Sequence, residues 1–293
     1  MTPSRLAIWL QLFRAPNLFT VPGDPLAGFL LATSRSLPNH THLVAVVVAS
    51  LCFYSAGLLS NDLADIEVDR RERPERPLPS GRATPRTVLI VSIVLLTLGI
   101  IACGLVGRAA CFTGAGLIAS IASYNLISKN IPIIGPLNMG LCRGLSLWLG
   151  VTAAHDRAFF PQPALVAAVL LTLYIATVTF IAHREMDPQR IGAQRWMPVI
   201  LLLSGSFVFL QTASHEKMAV AFILIIAVML AIAGARQLAL PHASVPRTIG
   251  LWISLLLLLQ AAFAAGAGRM QASALLLALW PVSRIVGRRF YAS

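Results

Sequence analysis

The chain reads as an all-α, polytopic bundle embedded in a membrane, and three observations predict it. Hydrophobic residues make up 57% of the sequence and charged residues only 12%. Apolar runs of roughly 17–25 residues, the length needed to cross the hydrocarbon layer, recur from one end to the other. The basic residues fall mostly on one side of these runs, as the positive-inside rule requires. The runs at 17–34, 42–60, 87–107, 109–127, 133–152, 163–182, 197–213, 217–235 and 249–267 are expected to form nine core transmembrane helices. A tenth stretch, 272–287, is interrupted by Pro281 and Arg284. No cleavage site follows the first run, so it is expected to be a retained helix, not a signal peptide. The expectation is one integral membrane domain over 1–293, with a central cavity between its helices.

Charge placement sets the orientation. With the N-terminus inside and the spans alternating, 17 of the 23 lysines and arginines lie inside, 5 outside, and Arg143 within a span. The N-terminus and the acidic loops are therefore expected on the cytoplasmic face of a plasma or inner membrane. The net charge of +12 is explained by this asymmetry and implies no nucleic-acid partner. Contact with anionic lipid headgroups follows from it. Nothing in the sequence identifies a protein partner. Cys52, Cys103, Cys111 and Cys142 lie in or beside spans without metal-type spacing and read as small buried hydrophobes. No phosphate loop, dinucleotide fingerprint, HExxH or CxxC is present. Small residues in the third, fourth and ninth runs suit close helix packing.

The chemistry concentrates in residues 61–82, NDLADIEVDRRERPERPLPSGR, directly after the second run. Six of the eleven acids are here: Asp62, Asp65, Glu67, Asp69, Glu72 and Glu75. If the helix continues into this segment, Asn61, Asp65 and Asp69 fall at i, i+4 and i+8 on one face. Three oxygen ligands stacked in this way repel one another unless a cation lies between them. Mg²⁺ suits such a set, because it binds one or two carboxylates and fills its shell with water and phosphate oxygens. Arg70, Arg71, Arg73, Arg76, Arg82 and Arg86 follow and suit phosphate too. The pattern points to a metal–diphosphate site at a membrane face. The alternative is a solvated loop whose acids balance its arginines, but charges beside hydrocarbon are seldom left without a role.

This segment resembles the UbiA superfamily of intramembrane prenyltransferases, whose first signature, NDxxDxxxD, is filled by Asn61, Asp62, Asp65 and Asp69. The continuation RPERPLPSGR, the chain length and the nine-helix plan extend the likeness over nearly the whole chain. The resemblance implies that Asn61, Asp65 and Asp69, with Asp62 beside them, ligate Mg²⁺ that bridges to a polyprenyl diphosphate held by arginines such as Arg70, Arg76 and Arg82. Family members also carry a Tyr and a Lys after the fourth helix, matched by Tyr124 and Lys129. Lys129 would hold diphosphate oxygens and Tyr124 would face a developing allylic cation. On spacing alone the pair also reads as an interfacial anchor. Asn138 and Arg143 lie inside the fifth run and need polar partners, which points to cavity lining.

The second acidic segment of the family is altered. Here FIAHREMDPQR retains Glu185 and Asp187, but His183 stands where the first Asp aligns. A second metal bound by Glu185 and Asp187 is expected only if Pro188 frees Asp187. Otherwise either Arg184 would hold the diphosphate, or His183 would serve as ligand or base. An interfacial charge cluster is the plain alternative. At the N-terminus, RAPN resembles the family's opening, and Asn17 either contacts substrate or starts a helix. Asp24, between Pro22 and Pro25, has no role visible in the sequence.

The expected function is Mg²⁺-dependent transfer of a prenyl group from a polyprenyl diphosphate to a small aromatic or lipid-like acceptor in the membrane, with Asp65, Tyr124 and Lys129 at the reacting centre. RAPNLFTVP, RPERPLPSGR and NMGLCRGL together resemble the EboC-like branch, a likeness that supplies no acceptor. The competing expectation is a non-catalytic protein of the same fold that binds or moves an isoprenoid or aromatic precursor.

Overall fold

A bilayer offers no water to satisfy open backbone groups, so a chain of this hydropathy must close its hydrogen bonds within helices. The computed structural model describes residues 4–33, 39–154, 160–184, 191–240 and 243–290, and among these there is no strand. Three short N-terminal helices, α1 (Arg5–Leu12), α2 (Ala15–Leu18) and α3 (Gly23–Ala32), precede the long α4 (His40–Ala64) and its short extension α5 (Ile66–Glu72). There follow α6 (Pro85–Gly104), α7 (Arg108–Ser123), α8 (Ile134–Ala154), α9 (Gln162–Ala182), α10 (Met197–Thr212) and α11 (Lys217–Gln237). The last three are α12 (Val245–Ser254), α13 (Leu256–Gly266) and α14 (Met270–Phe290).

Local chemistry sets several of the helix starts. The Asn39 side chain accepts hydrogen bonds from the Thr41 and His42 amides at 3.1 and 3.3 Å and opens α4. Thr84 caps α6 through the Thr87 amide, with Pro85 in the first turn, where its missing N–H costs nothing.

Eight helices among the described residues are long and apolar enough to cross a membrane. They match the expected spans except at two places. The run 17–34 is broken into α2 and α3, with Pro22 at the break as the N-cap of α3, and Arg14 adopts a left-handed backbone (φ 46°) just before α2. The run 133–152 forms α8 over 21 residues, which carries Asn138 and Arg143 and is not among those eight. The interrupted stretch 272–287 is helical. α14 runs through Pro281 and is tied down by Trp280 Nε1 donating to Ser254 Oγ at 3.2 Å and Ser283 Oγ donating to the Pro16 carbonyl at 3.1 Å.

Helix α8 is the hub, packed against α3, α4, α7 and α9. Glycines allow this closeness. Gly28 of α3 lies against the Leu147 carbonyl of α8, Gly150 of α8 against the Pro25 carbonyl, and Gly140 against the Thr172 carbonyl of α9. A side chain at any of these would collide with backbone. Helix α13 is buried on all sides, including its one polar residue, Gln260.

Candidate functional site

The acidic segment keeps its helical register through the joint between α4 and α5. The Asp65 amide donates to the Asn61 carbonyl at 3.0 Å, the Asp69 amide to the Asp65 carbonyl at 2.8 Å, and the Arg73 amide to the Asp69 carbonyl at 2.9 Å. Asn61, Asp65 and Asp69 therefore share one face, the arrangement their spacing predicts. Each of three acids meets a cation from a different part of the chain. Arg14, before α2, donates to Asp62 at 3.4 Å. Lys129 donates to Asp65 in a close ion pair. Arg76, in the following loop, reaches both oxygens of Asp69 at 2.8 and 3.0 Å.

Lys129 reaches Asp65 because α7 ends in a π turn, Tyr124–Ser128, closed by the Lys129 amide donating to the Tyr124 carbonyl at 3.1 Å. A π turn inserts one residue and rotates the residues after it, a device common at functional sites. It buries Tyr124, Asn125 and Ser128 while Leu126 and Ile127 face outward. The turn is braced at two points. Asn125 Nδ2 donates to the Gly57 carbonyl of α4 at 3.2 Å, and Asn138 Nδ2 donates to Ser128 Oγ at 2.9 Å. Asn138 also accepts from Ser120 Oγ, so its amide holds the turn in place from α8.

The loop 73–84 is anchored by Leu78, buried with Leu12, Leu59 and Val88. Of its arginines, Arg76 faces the acids. Arg82 donates to the Glu75 carbonyl and to Ser80 Oγ, and Arg70 pairs with Glu67 at 2.6 Å in an exposed position. These two hold the loop and the α5 surface, away from the acid face.

Beside the acid face lies a cavity with about 690 Å³ of empty space, counting the part open to solvent. Arg14, Asn61, Tyr124 and Asn125 line its polar end, and Val21, Leu58, Leu117, Ile121 and Met139 supply apolar wall. Tyr54, Ser50, Gly57, Ser146, Cys142 and Arg143 complete it. Ser50 and Ser146 hydrogen-bond each other at 2.6 Å, joining α4 to α8.

Asp24 finds its role here. Fully buried, it lies 2.9 Å from Arg143 Nε, an electrostatic approach out of line for a hydrogen bond, and accepts from Arg143 Nη2 at 3.2 Å. Gln260 Nε2 donates to Asp24 at 2.6 Å and to the Thr20 carbonyl at 2.7 Å. Arg143 Nη2 also donates to the Thr20 carbonyl at 3.0 Å, and the guanidinium sits 6.0 Å from the centre of the Tyr54 ring. An unpaired buried charge is very costly, so this ion pair with its added hydrogen bonds accounts for both residues.

Asn17 is buried in α2. His183 caps α9 at its C-terminus, and burial pushes its imidazole below the usual pKa. The Arg184 guanidinium lies 4.9 Å from the Phe180 ring centre. Glu185 and Asp187 lie outside the described residues. Arg14, Asn125 and the Asp24–Gln260 link were not anticipated as site features. The π turn left no mark in the sequence pattern.

Among the described residues no three His, Cys, Asp or Glu side chains are gathered as a metal site. The donor chemistry nevertheless fits Mg²⁺: Asn61, Asp65 and Asp69 offer only hard oxygens along one face. Lys129 and Arg76 now occupy two of those carboxylates, and both are suited to diphosphate oxygens as well.

Residues 25–280 match the UbiA prenyltransferase family. A digeranylgeranylglyceryl phosphate synthase from Methanothrix thermoacetophila is 31% identical over 150 residues, covering 50% of this chain and about half, 54%, of that protein. A solved structure of a digeranylgeranylglyceryl phosphate synthase has the same fold, with a TM-score of 0.64 at 19% identity over 91% of this chain and 99% of that one. A UbiA homologue from Archaeoglobus fulgidus bound to GPP and Mg²⁺ superposes with a TM-score of 0.58 at 14% identity, over 90% and 99% of the two chains. With the family's pattern running from residue 25 to residue 280, and its fold shared over nine-tenths of the length, the chain belongs to the UbiA prenyltransferase family.

Proposed function

We propose that the protein is an intramembrane prenyltransferase that moves a prenyl group from a polyprenyl diphosphate to a small acceptor in its cavity. One observation carries this reading: three cations from separate segments, Arg14, Arg76 and Lys129, converge on Asp62, Asp69 and Asp65 beside a largely apolar cavity. A cluster of matched charges at the mouth of an apolar chamber suits a ligand with an anionic head and a hydrocarbon tail. The named synthases and the GPP complex of the related homologue favour a prenyl diphosphate as that ligand.

Bound Mg²⁺ would supply Lewis-acid stabilisation of the leaving diphosphate, held by Asn61, Asp65 and Asp69. Lys129, Arg76 and Arg14 would exchange carboxylate oxygens for diphosphate oxygens and balance the charge that builds up as the allylic C–O bond breaks. Leu58, Leu117, Ile121 and Met139 keep water from the cationic carbon. The ring of Tyr124 offers its face to that carbon. The π turn orients Lys129 and Tyr124 together, so both act from one rigid element.

The positive-inside count favours a cytoplasmic acid face. The test is binding of geranylgeranyl diphosphate to the detergent-purified protein with Mg²⁺ and with EDTA. Magnesium-dependent binding that disappears in Asp65→Ala supports the reading, and metal-independent binding of equal strength would overturn it.

A further inference from the structure

We infer that the acceptor is electrically neutral, a lipid-like alcohol or phenol that presents a hydroxyl group, not a carboxylate or a phosphate monoester. The inference rests on the prenyltransferase reading and narrows its acceptor. The cavity has two charged lining residues among those described, Arg14 and Arg143. Arg14 sits at the acid face against Asp62, where the donor's head is placed. Among the described lining residues Arg143 is the cation left for an acceptor, and its charge is already matched by Asp24, which is wholly buried behind it.

The match is built from three helices. Asp24 on α3 receives Arg143 from α8 and Gln260 from α13, and the Thr20 carbonyl accepts from both. Glycine at position 23 leaves the space that the Gln260 amide fills. An anionic acceptor would have to shed its water and then face a guanidinium whose field is cancelled at 2.9 Å. A neutral hydroxyl has a smaller desolvation cost and finds suitable partners. Ser50 and Ser146 line the wall, and Arg143 Nη1 takes no part in the network with Asp24 and Thr20. The digeranylgeranylglyceryl phosphate synthases are named for a phosphate-bearing product, so the inference separates this chain from them.

The reaction balances without a further reagent. The acceptor oxygen bonds to the allylic carbon as that carbon's bond to diphosphate breaks. The hydroxyl proton leaves with the diphosphate, and the product is an ether.

Two matched pairs of probes test this: hydroquinone against 4-hydroxybenzoate, and geranylgeranylglycerol against its phosphate monoester. Binding is read as a thermal shift of the purified protein without donor, and transfer is read with geranylgeranyl diphosphate and Mg²⁺. The neutral member of at least one pair is expected to bind and react at least tenfold better than its anionic twin. Asp24→Asn, which uncovers the charge of Arg143, is expected to narrow or reverse that preference. Should Asp24→Asn fail to fold, Arg143→Gln is expected to weaken the neutral probes without improving the anionic ones. Preference for the anionic members, or no binding of any probe, would overturn the inference. Loss of magnesium-dependent donor binding would strike at the prenyltransferase reading itself, and the donor-free thermal shifts keep the two failures distinguishable.

Discussion

Lys129 donates to Asp65 across a separation of 64 residues, and this one contact ties the π turn after α7 to the acid face of α4. Both side chains are mostly buried. Removing either charge leaves the other without its partner. Lys129→Met and Asp65→Asn are each expected to lower the melting temperature in detergent, and the double variant to recover part of the loss. A coupling of about 0.5–3 kcal/mol in the double-mutant cycle is the range for residues in contact. For prenyl transfer the two are not interchangeable: Asp65→Asn is expected to cost at least about 10²-fold, the scale of losing one preorganised electrostatic group. Full activity in that variant would remove Asp65 from the reacting centre.

Arg14 occupies a left-handed backbone, which costs a non-glycine residue roughly 1–2 kcal/mol. Its side chain meets Asp62 and lines the cavity, so function offers a reason for the strain. Arg14→Gly should therefore melt no lower than Arg14→Ala and bind geranylgeranyl diphosphate about tenfold more weakly than the parent, as expected for one lost charge-assisted contact. Melting curves and donor titrations on the two variants check this.

Deleting Ile127, which faces outward, should convert the π turn to a regular helical turn and rotate the residues beyond it by about 100°. The protein is expected to remain in the membrane, with donor binding lost because Lys129 no longer reaches Asp65. Retained donor affinity in a folded deletion variant would show that the turn does not position the lysine.

By the family resemblance His183 takes the place of an acid, and partial burial lowers the pKa of its imidazole. His183→Asp is expected to raise turnover and to lower the Mg²⁺ concentration needed for half-maximal rate. A protein of this fold that only binds an isoprenoid would show no turnover before or after the change, and product assays across a magnesium titration separate the two.

What the sequence reveals, and what it hides, divides along the range of the interactions. The acid register of Asn61, Asp65 and Asp69 is legible because it depends on residues four apart on one helix. The spans are legible because hydropathy is local. Asp24 is visible only as an oddity, since its partners lie 119 and 236 residues away. Asn138 announces a need for polar company without saying that the company is Ser120 and Ser128. Arg70, Arg76 and Arg82 look alike in the sequence. The folding of the loop about Leu78 turns Arg76 toward Asp69 while Arg82 ties back to the loop, and Arg70 stays on α5 paired with Glu67.

The pairing of Asp24 with Arg143 also bears on how the protein is made. An arginine at the centre of a helix opposes entry into the bilayer by about 2.5–3.5 kcal/mol. Helix α8 carries that burden, yet it emerges from the ribosome after α3. The acid it needs has thus already been synthesised when α8 emerges, and the glycine contacts let α3 and α8 pack closely. Gln260, synthesised more than a hundred residues later, closes the assembly. The buried ion pair thus offsets, within the assembled bundle, the cost of carrying Arg143 into the membrane.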